Sequence, residues 1–339
     1  MARIALDAMG GDRAPEVPIA GALLALAELD PAHTVQLVGR TGEVSAELDT
    51  QLRAATGLPA GIRERISLVE APDVIEMSEK PTAAIRSKPN SSMAIGLKLH
   101  AAGKADAFVS AGNTGAQMAS SVFLLKLHHG LTRPAIAAMI PTLKQPVVLV
   151  DAGANVDCSA EELVQFARLG SVYAEDILGR PEPSIGLLSN GEESEKGNAS
   201  VKEAHKLLST AGLNFIGNVE GRDILTAGSA RGPLDVVVCD GFVGNVLLKF
   251  YESVPGLIFS MLAAGGIKQE VIAQIFRGFD YSDYGGAPLL GVKGVSIISH
   301  GSSSPRAVKN AIQVAVRAVE SRMNEHIGRR LGHAAVTSA

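Results

Sequence analysis

The sequence predicts an α/β protein: a mostly parallel sheet with helices on both faces. Three observations predict it. Short apolar, β-branched runs end in Gly, Asn, Asp or Ser, and helical patterns lie between most of them. Alternation of this kind implies right-handed crossovers between parallel strands. The apolar mass is also Ala, Val, Leu and Ile, with aromatic residues at only 4% and no Trp, which suits helices packed on a parallel sheet.

The expected strands, in order, are Arg3–Leu6, Thr34–Val38, Ile66–Val69, Ala107–Ser110, Ala135–Ile140, Val147–Val150, Ile185–Leu188, Val236–Cys239 and Val295–Ser299. Expected helices include Ile19–Leu29, Ala116–Leu127, Ala160–Leu178, Ser200–Ser209 and Ala307–Arg322. No internal repeat, low-complexity tract or interdomain linker interrupts this rhythm. We therefore expect a single domain over 1–331, followed by a flexible tail over 332–339.

Two segments break the pattern. Residues 71–92 form a long polar excursion, and long excursions in compact domains are often functional. Residues 254–278 read as two short amphipathic helices, with Pro255 near the start and Gly265-Gly266 as the turn. That helical excursion could pack on the body or on another subunit, or expose an apolar tip to a membrane surface or an acyl chain.

Composition limits the function. At 339 residues the chain can bury a large core, and 46% hydrophobic with 19% charged residues is an ordinary globular balance. A net charge of -4 gives no general pull toward nucleic acid. Two cysteines, Cys158 and Cys239, cannot build a disulfide framework and fit a reducing cytoplasm. Arg3 and Asp7 stand where a signal peptide would need an uninterrupted apolar run. Residues 107–125 lack charge, but Ser110, Gly112, Asn113, Thr114 and Gln117 argue against a membrane span there.

Ligands of open parallel sheets bind beyond the carboxyl ends of the strands. Those ends carry Asp7 to Asp12, Ser110 to Gly115, Asp151 to Asn155, Ser189 to Glu193, Asp240 to Asn245 and His300 to Ser304. Gly, Asn, Asp and Ser also simply make turns and caps, so number and placement matter more than any one loop. The Asn113 loop feeds a helix, whose free N–H groups and dipole favour an anion. The His300 loop has Pro305 at a plausible first helical position, and its hydroxyls could hold phosphate or cap the helix. His300 itself could be a structural donor or a catalyst.

Lys196 could neutralise a phosphate or be a solvated charge in an acidic loop. Asp240 could be a helix cap, a general base or an orienting carboxylate. Cys239 reads as a small buried residue, not a nucleophile. The chain has no G-x-G-x-x-G after its first strand, no G-x-x-x-x-G-K-[ST], no G-x-S-x-G and no H-E-x-x-H. No Cys/His spacing suggests zinc, and no cofactor or metal is expected.

Nine runs together point to a family: Arg3 to Asp12, Lys80 to Arg86, Asn90 to Met93, Ser110 to Ala116, Asp151 to Asp157, Phe215 to Glu220, Asp240 to Asn245, Tyr284 to Gly286 and His300 to Ser303. In these the chain resembles the bacterial acyl-carrier-protein:phosphate acyltransferases of phospholipid synthesis. The resemblance implies a homodimeric three-layer α/β/α sandwich with a Rossmann-like sheet. It implies transfer of a fatty acyl group from acyl-carrier protein to inorganic phosphate, in a cytoplasmic enzyme peripherally associated with the membrane. It assigns catalysis to Lys196 and Asp240. Phosphate or substrate contacts would come from Asp7, Gly10, Gly11, Asn113, Thr114, Gly153, Asn245, His300, Gly301, Ser302 and Ser303. Arg86 and Lys88, on the long excursion, could dock an acidic carrier or form a pocket-wall ion pair. Two departures stand out: Ser189 replaces the family's usual Asn, and the excursion at 254–278 looks shorter than in some relatives. A short-chain phosphate acetyltransferase using coenzyme A and a non-catalytic acyl- or carrier-binding module are the alternatives.

Overall fold

The computed structural model describes residues 1–271 and 285–337, with side chains as far as residue 332. The chain forms two compact units, Met1–His129 with Tyr284–Gly328, and Gly130–Asp283 with Arg329–Ala339.

The chain opens with β1 (Arg3–Asp7), α1 (Glu16–Glu28), β2 (Thr34–Gly39), α2 (Thr41–Ala54), β3 (Ile66–Glu70), α3 (Pro81–Ser87), α4 (Ser92–Ala101), β4 (Ala107–Ser110) and α5 (Thr114–Leu125). There follow β5 (Ala135–Ile140), β6 (Val147–Val150), α6 (Ala160–Leu178), β7 (Ile185–Leu188), α7 (Ala199–Leu208), β8 (Phe215–Val219), α8 (Gly221–Thr226), β9 (Gly228–Ser229), β10 (Gly232–Pro233), β11 (Val236–Val238) and α9 (Gly241–Ala264). The last elements are β12 (Ala287–Leu290), β13 (Ser296–Ile298), α10 (Pro305–Glu320) and α11 (Met323–Thr337).

In the first unit the strand order is β3-β2-β1-β4-β13-β12, and all neighbours are parallel except β12 and β13. In the second unit it is β5-β6-β11-β7-β8, and only β5 with β6 is antiparallel. Strands β4, β5 and β6 are buried at every residue, as strands covered by helices on both faces must be. The expected α/β class with a mostly parallel sheet is what forms.

Several boundaries follow local chemistry. Helix α6 starts at a capping box, with Ser159 accepting from the Glu162 amide while Glu162 answers the Ser159 amide, and it stops at Gly179 in the left-handed conformation. Its amphipathic pattern made it legible to the residue. Helix α2 is polar, burying only Val44 and Leu48, so its apolar signal is faint.

Two expectations are corrected. The first helix expected from 254 is the end of a longer one, since α9 runs unbroken from Gly241 through Pro255 to Ala264, while the expected turn forms at Gly265-Gly266 and residues 269–271 are helical again. Proline removes one helical hydrogen bond. This stretch is largely exposed, so the carbonyl left over can meet water. Residues 272–278 of that expectation lie outside the described residues. The tail expected from residue 332 is helical as far as Thr337, and 338–339 lie outside the described residues.

By length and composition α9 could cross a membrane. Its first turn is held on the second unit's sheet, where the Gly241 amide donates to the Asn155 carbonyl at 2.7 Å. Beyond that turn it exposes Val246, Phe250, Leu257 and Met261, each more than half accessible.

Candidate functional site

Parallel neighbours end at the same edge, so each unit gathers three of the six loops. In the first unit these follow β1, β4 and β13. Asp7 is almost fully buried, and its carboxylate accepts from the Met9 amide at 3.1 Å and the Ser110 hydroxyl at 2.8 Å. Ser110 Oγ in turn accepts from the Gly112 amide at 3.0 Å. Burial pushes the Asp7 carboxyl up, against hydrogen bonds from Ser92, Ser110, Met9 and Gly10 that favour its charge. Asp7 therefore ties the loops after β1 and β4 together.

The glycine pair lets those loops close on one another. A Cβ on Gly10 would lie 2.9 Å from the Gly112 nitrogen, and one on Gly11, at φ +106°, would lie 3.1 Å from the Gly301 carbonyl. The Asp12 amide donates to that same carbonyl at 2.8 Å. Gly10, Gly11 and Gly301 are thus together.

Asn113 caps α5, its Oδ1 accepting from the Ala116 amide at 3.0 Å. Its Nδ2 donates to the Met77 and Glu79 carbonyls, both at 3.1 Å, and to Glu76 at 3.4 Å. The side chain is spent on the excursion, leaving backbone N–H groups and exposed Thr114 at the helix mouth. In the third loop His300 Nδ1 pairs with the Ser302 hydroxyl at 2.7 Å, both exposed, and Ser304 caps α10. The Ser303 amide donates to the His300 carbonyl at 2.9 Å.

Lys88 is half-buried, donating to the Val74 carbonyl at 2.7 Å and pairing with Glu79. It is ion-paired within the excursion. Arg86 is exposed and makes no ion pair among the described residues.

In the second unit the loops follow β6, β7 and β11. Asp151 is completely buried and accepts from the amides of Ile136, Gly153, Ala154 and Asn155 and from Asn155 Nδ2, at 2.7–3.1 Å. Burial pushes its carboxyl up as well. This hub was missed as a candidate. Its signal was an Asp directly after an apolar strand, the same Asp-Ala step that follows β1. Gly153 lies against Asn245, close enough that a Cβ on the glycine would sit 3.4 Å from the Asn245 Cβ.

Asp240 is the cap of α9, with Oδ1 accepting from the Val243 amide at 2.9 Å. Its other oxygen has no hydrogen-bond partner among the described residues. Lys196 is exposed in a polar cleft of about 480 Å3 whose walls include Asn190, Gly191, Glu220, Arg222 and Arg231. Asp240 is not part of that lining, so the two expected catalytic residues share a sheet edge but not a cleft. Arg222 and Arg231 were not singled out. Arg231 lies on the β9–β10 hairpin, whose two-residue strands give almost no periodic signal.

Both thiols are held neutral. Burial first, then the Asp151 charge, pushes Cys158 up to about 12, and burial raises Cys239 as well. Neither is an activated nucleophile. No cluster of metal-ligating side chains occurs among the described residues.

The sequence matches the family described as "Fatty acid synthesis protein" over residues 2–326. The chain belongs to this family. Its relatives include a phosphate acyltransferase of Desulforamulus reducens, 49% identical over 335 residues and covering 94% of each chain. Another is a phosphate acyltransferase of Pelotomaculum thermopropionicum, 47% identical, covering 96% of this chain and 94% of that one. Among solved structures, a phosphotransacetylase from Streptococcus pyogenes superposes with a TM-score of 0.62 at 17% identity, covering 94% of each chain. At that identity it shows a shared fold. For this family member, the matched span takes in all six loops.

Proposed function

We propose that this chain is an acyltransferase that moves a fatty acyl group from acyl-carrier protein to inorganic phosphate. The product would be acyl phosphate for phosphatidic acid and phospholipid synthesis. The observation that carries this reading is near-full-length identity of 49% and 47% to proteins named phosphate acyltransferase. The geometry supports it. Among the described residues no activated Ser or Cys is offered for an acyl-enzyme, and direct attack by phosphate needs none.

In that attack a phosphate oxygen adds to the thioester carbonyl, the C–S bond breaks, and the thiolate leaves and takes up a proton. Phosphate is already largely ionised and the thioester is activated, so positioning matters most. It can supply up to about 7–11 kcal/mol. Each donor on the developing oxyanion adds about 2.7–4 kcal/mol. Lys196 would stabilise phosphate or oxyanion charge. Asp240 would use its unpaired oxygen to orient the attacking phosphate or take its proton. The backbone at Gly10, Gly11, Asn113, Gly153 and Gly301, with Thr114, Asn245, His300, Ser302 and Ser303, would make the anion contacts.

The two units would act as one catalytic domain over 1–331. The exposed apolar residues of α9 support contact with a second copy in a homodimer and peripheral contact with the membrane from the cytoplasm. Arg86 remains available to an acidic carrier. Incubation with palmitoyl-carrier protein and phosphate should give palmitoyl phosphate by mass spectrometry. Absence of that product, or a faster reaction with acetyl-coenzyme A, would overturn the reading.

A further inference from the structure

The run Phe215 to Glu220 carries none of the roles assigned so far, yet its last residue, Glu220, lines the Lys196 cleft. Strand β8 does not pair evenly with β7. Ile185 faces Phe215 while Gly186 faces Gly217, so Ile216 is an extra residue and the strand bulges. Gly217 sits in the bulge at φ +98°, and a Cβ there would collide with the Arg231 guanidinium. The bulge and the missing side chain open the space in which Arg231 lies. Its guanidinium donates weakly to the carbonyls of Ile216 at 3.4 Å and Glu192 at 3.3 Å. Among the described residues it meets no carboxylate.

The cleft lining carries three cations and three carboxylates. Lys196, Arg222 and Arg231 stand against Glu192, Glu193 and Glu220. Arg222 is taken by Glu220 at 2.6 Å and Glu192 at 3.3 Å. Arg222 thus draws in two of the three carboxylates, and neither Lys196 nor Arg231 makes an ion pair among the described residues. The Glu193 backbone is anchored from behind: buried Asn218 donates from Nδ2 to the Glu193 carbonyl at 2.7 Å, while its Oδ1 has no partner among the described residues. At about 480 Å3 the cleft is far larger than inorganic phosphate requires and within the range of organic ligands.

We propose that this cleft binds a phosphate ester, the phosphodiester of the pantetheine arm that carries the acyl thioester, with Arg231 as its principal contact. The proposal rests on the acyltransferase reading above. Arg231, which meets only carbonyls and no carboxylate among the described residues, is the cation left to take the single negative charge of a phosphodiester. A guanidinium suits it because its fork donates two parallel charge-assisted hydrogen bonds to a phosphate. The polar remainder of the arm fits walls lined by Asn190 and Glu193. Binding the arm beside Lys196 would bring the thioester end of the donor to the lysine assigned to the oxyanion. Arg231 would then be a donor-binding residue, distinct from those that stabilise the reacting atoms.

Titration calorimetry of the full chain with 4′-phosphopantetheine and with pantetheine tests this without any turnover. Wild-type protein should bind the phosphorylated form at least about tenfold more tightly, a difference of about 1.4 kcal/mol. Arg231→Gln should bind the two equally, and Arg231→Lys should restore part of the preference. In steady state Arg231→Gln should raise KM for acyl-carrier protein and leave kcat unchanged. Equal wild-type affinities, or a preference retained by Arg231→Gln, would overturn the proposal. So would displacement of phosphopantetheine by millimolar inorganic phosphate in wild type, which would make the cleft the acceptor site. Binding without acyl phosphate formation would instead count against the acyltransferase reading alone.

Discussion

The Ser110 hydroxyl donates to Asp7 Oδ2 at 2.8 Å, joining residues 103 positions apart in the chain. This bond ties the loop after β1 to the loop after β4, and the Gly112 amide extends it. A buried carboxylate without a cationic partner is costly, and the cost is offset here by four hydrogen bonds.

Asp7 should make stability depend on pH in a defined direction. Its folded-state pKa is raised above the ordinary aspartate value by burial. The folded state thus holds the proton more tightly than the unfolded one, and stability from Asp7 is greatest near and below pH 3.8. It is lost as pH rises through the raised value. An Asp7→Asn variant lacks this titration. The stability advantage of wild type over Asp7→Asn should therefore shrink as the pH rises above about 4. Urea melts at several pH values decide it, and a widening gap would refute the burial argument.

Asn113 satisfies a helix terminus and three carbonyls of the 76–79 segment at once. Losing the cap costs about 0.5–2 kcal/mol. Asn113→Ala should therefore lower the stability by about 1–3 kcal/mol, since the carbonyls lose their donor as well. Hydrogen exchange should rise at 76–92 before it rises elsewhere. Uniform exchange would show that Asn113 does not hold that segment.

Lys196→Ala should lower turnover by at least about tenfold while leaving the melting temperature unchanged. The lysine is exposed and makes no ion pair among the described residues, so its removal costs only the contact of its stem with Gly191. Wild-type turnover in the purified variant would remove Lys196 from catalysis.

The fold was legible wherever a run of residues carried its own signal. Ala107–Ser110, Ala135–Ile140, Val147–Val150, Ile185–Leu188 and Ala160–Leu178 stand where the apolar pattern puts them. Strand β12 was missed because Pro288 interrupts a four-residue run, and proline ordinarily argues against a strand. The loops of the site were legible as glycine-rich strand ends. What each side chain does there was not, because partners come from distant positions. Asn113 reads as an anion contact until Met77 and Glu79 are seen beside it. Arg231 reads as a surface charge until the β8 bulge places Gly217 beneath it.

The excursion residues should separate. Lys88 pairs with Glu79 and the Val74 carbonyl, so Lys88→Ala should loosen 71–92 and lower stability by about 1–2 kcal/mol. Arg86 is exposed and should act on the carrier instead. Arg86→Glu should raise KM for acyl-carrier protein at low salt, and the effect should fade as ionic strength rises and the Debye length shortens. A KM unchanged at every salt concentration would exclude Arg86 from docking.

The outer half of α9 should govern membrane contact independently of catalysis. Leu257 and Met261 are one helical turn apart and more than 60% exposed, whereas the first turn of the helix is fixed by Asp240 and by the Gly241 amide. Replacing both with Ser removes apolar area at about 25 cal/mol per Å2 without touching that first turn. Leu257→Ser with Met261→Ser should therefore reduce cosedimentation with anionic phospholipid vesicles several-fold. Turnover on soluble acyl-carrier protein should stay at the wild-type level. Unchanged cosedimentation together with a shift from dimer to monomer in light scattering would assign these two side chains to a subunit contact. Unchanged cosedimentation with an intact dimer would leave the outer half of α9 with no part in either.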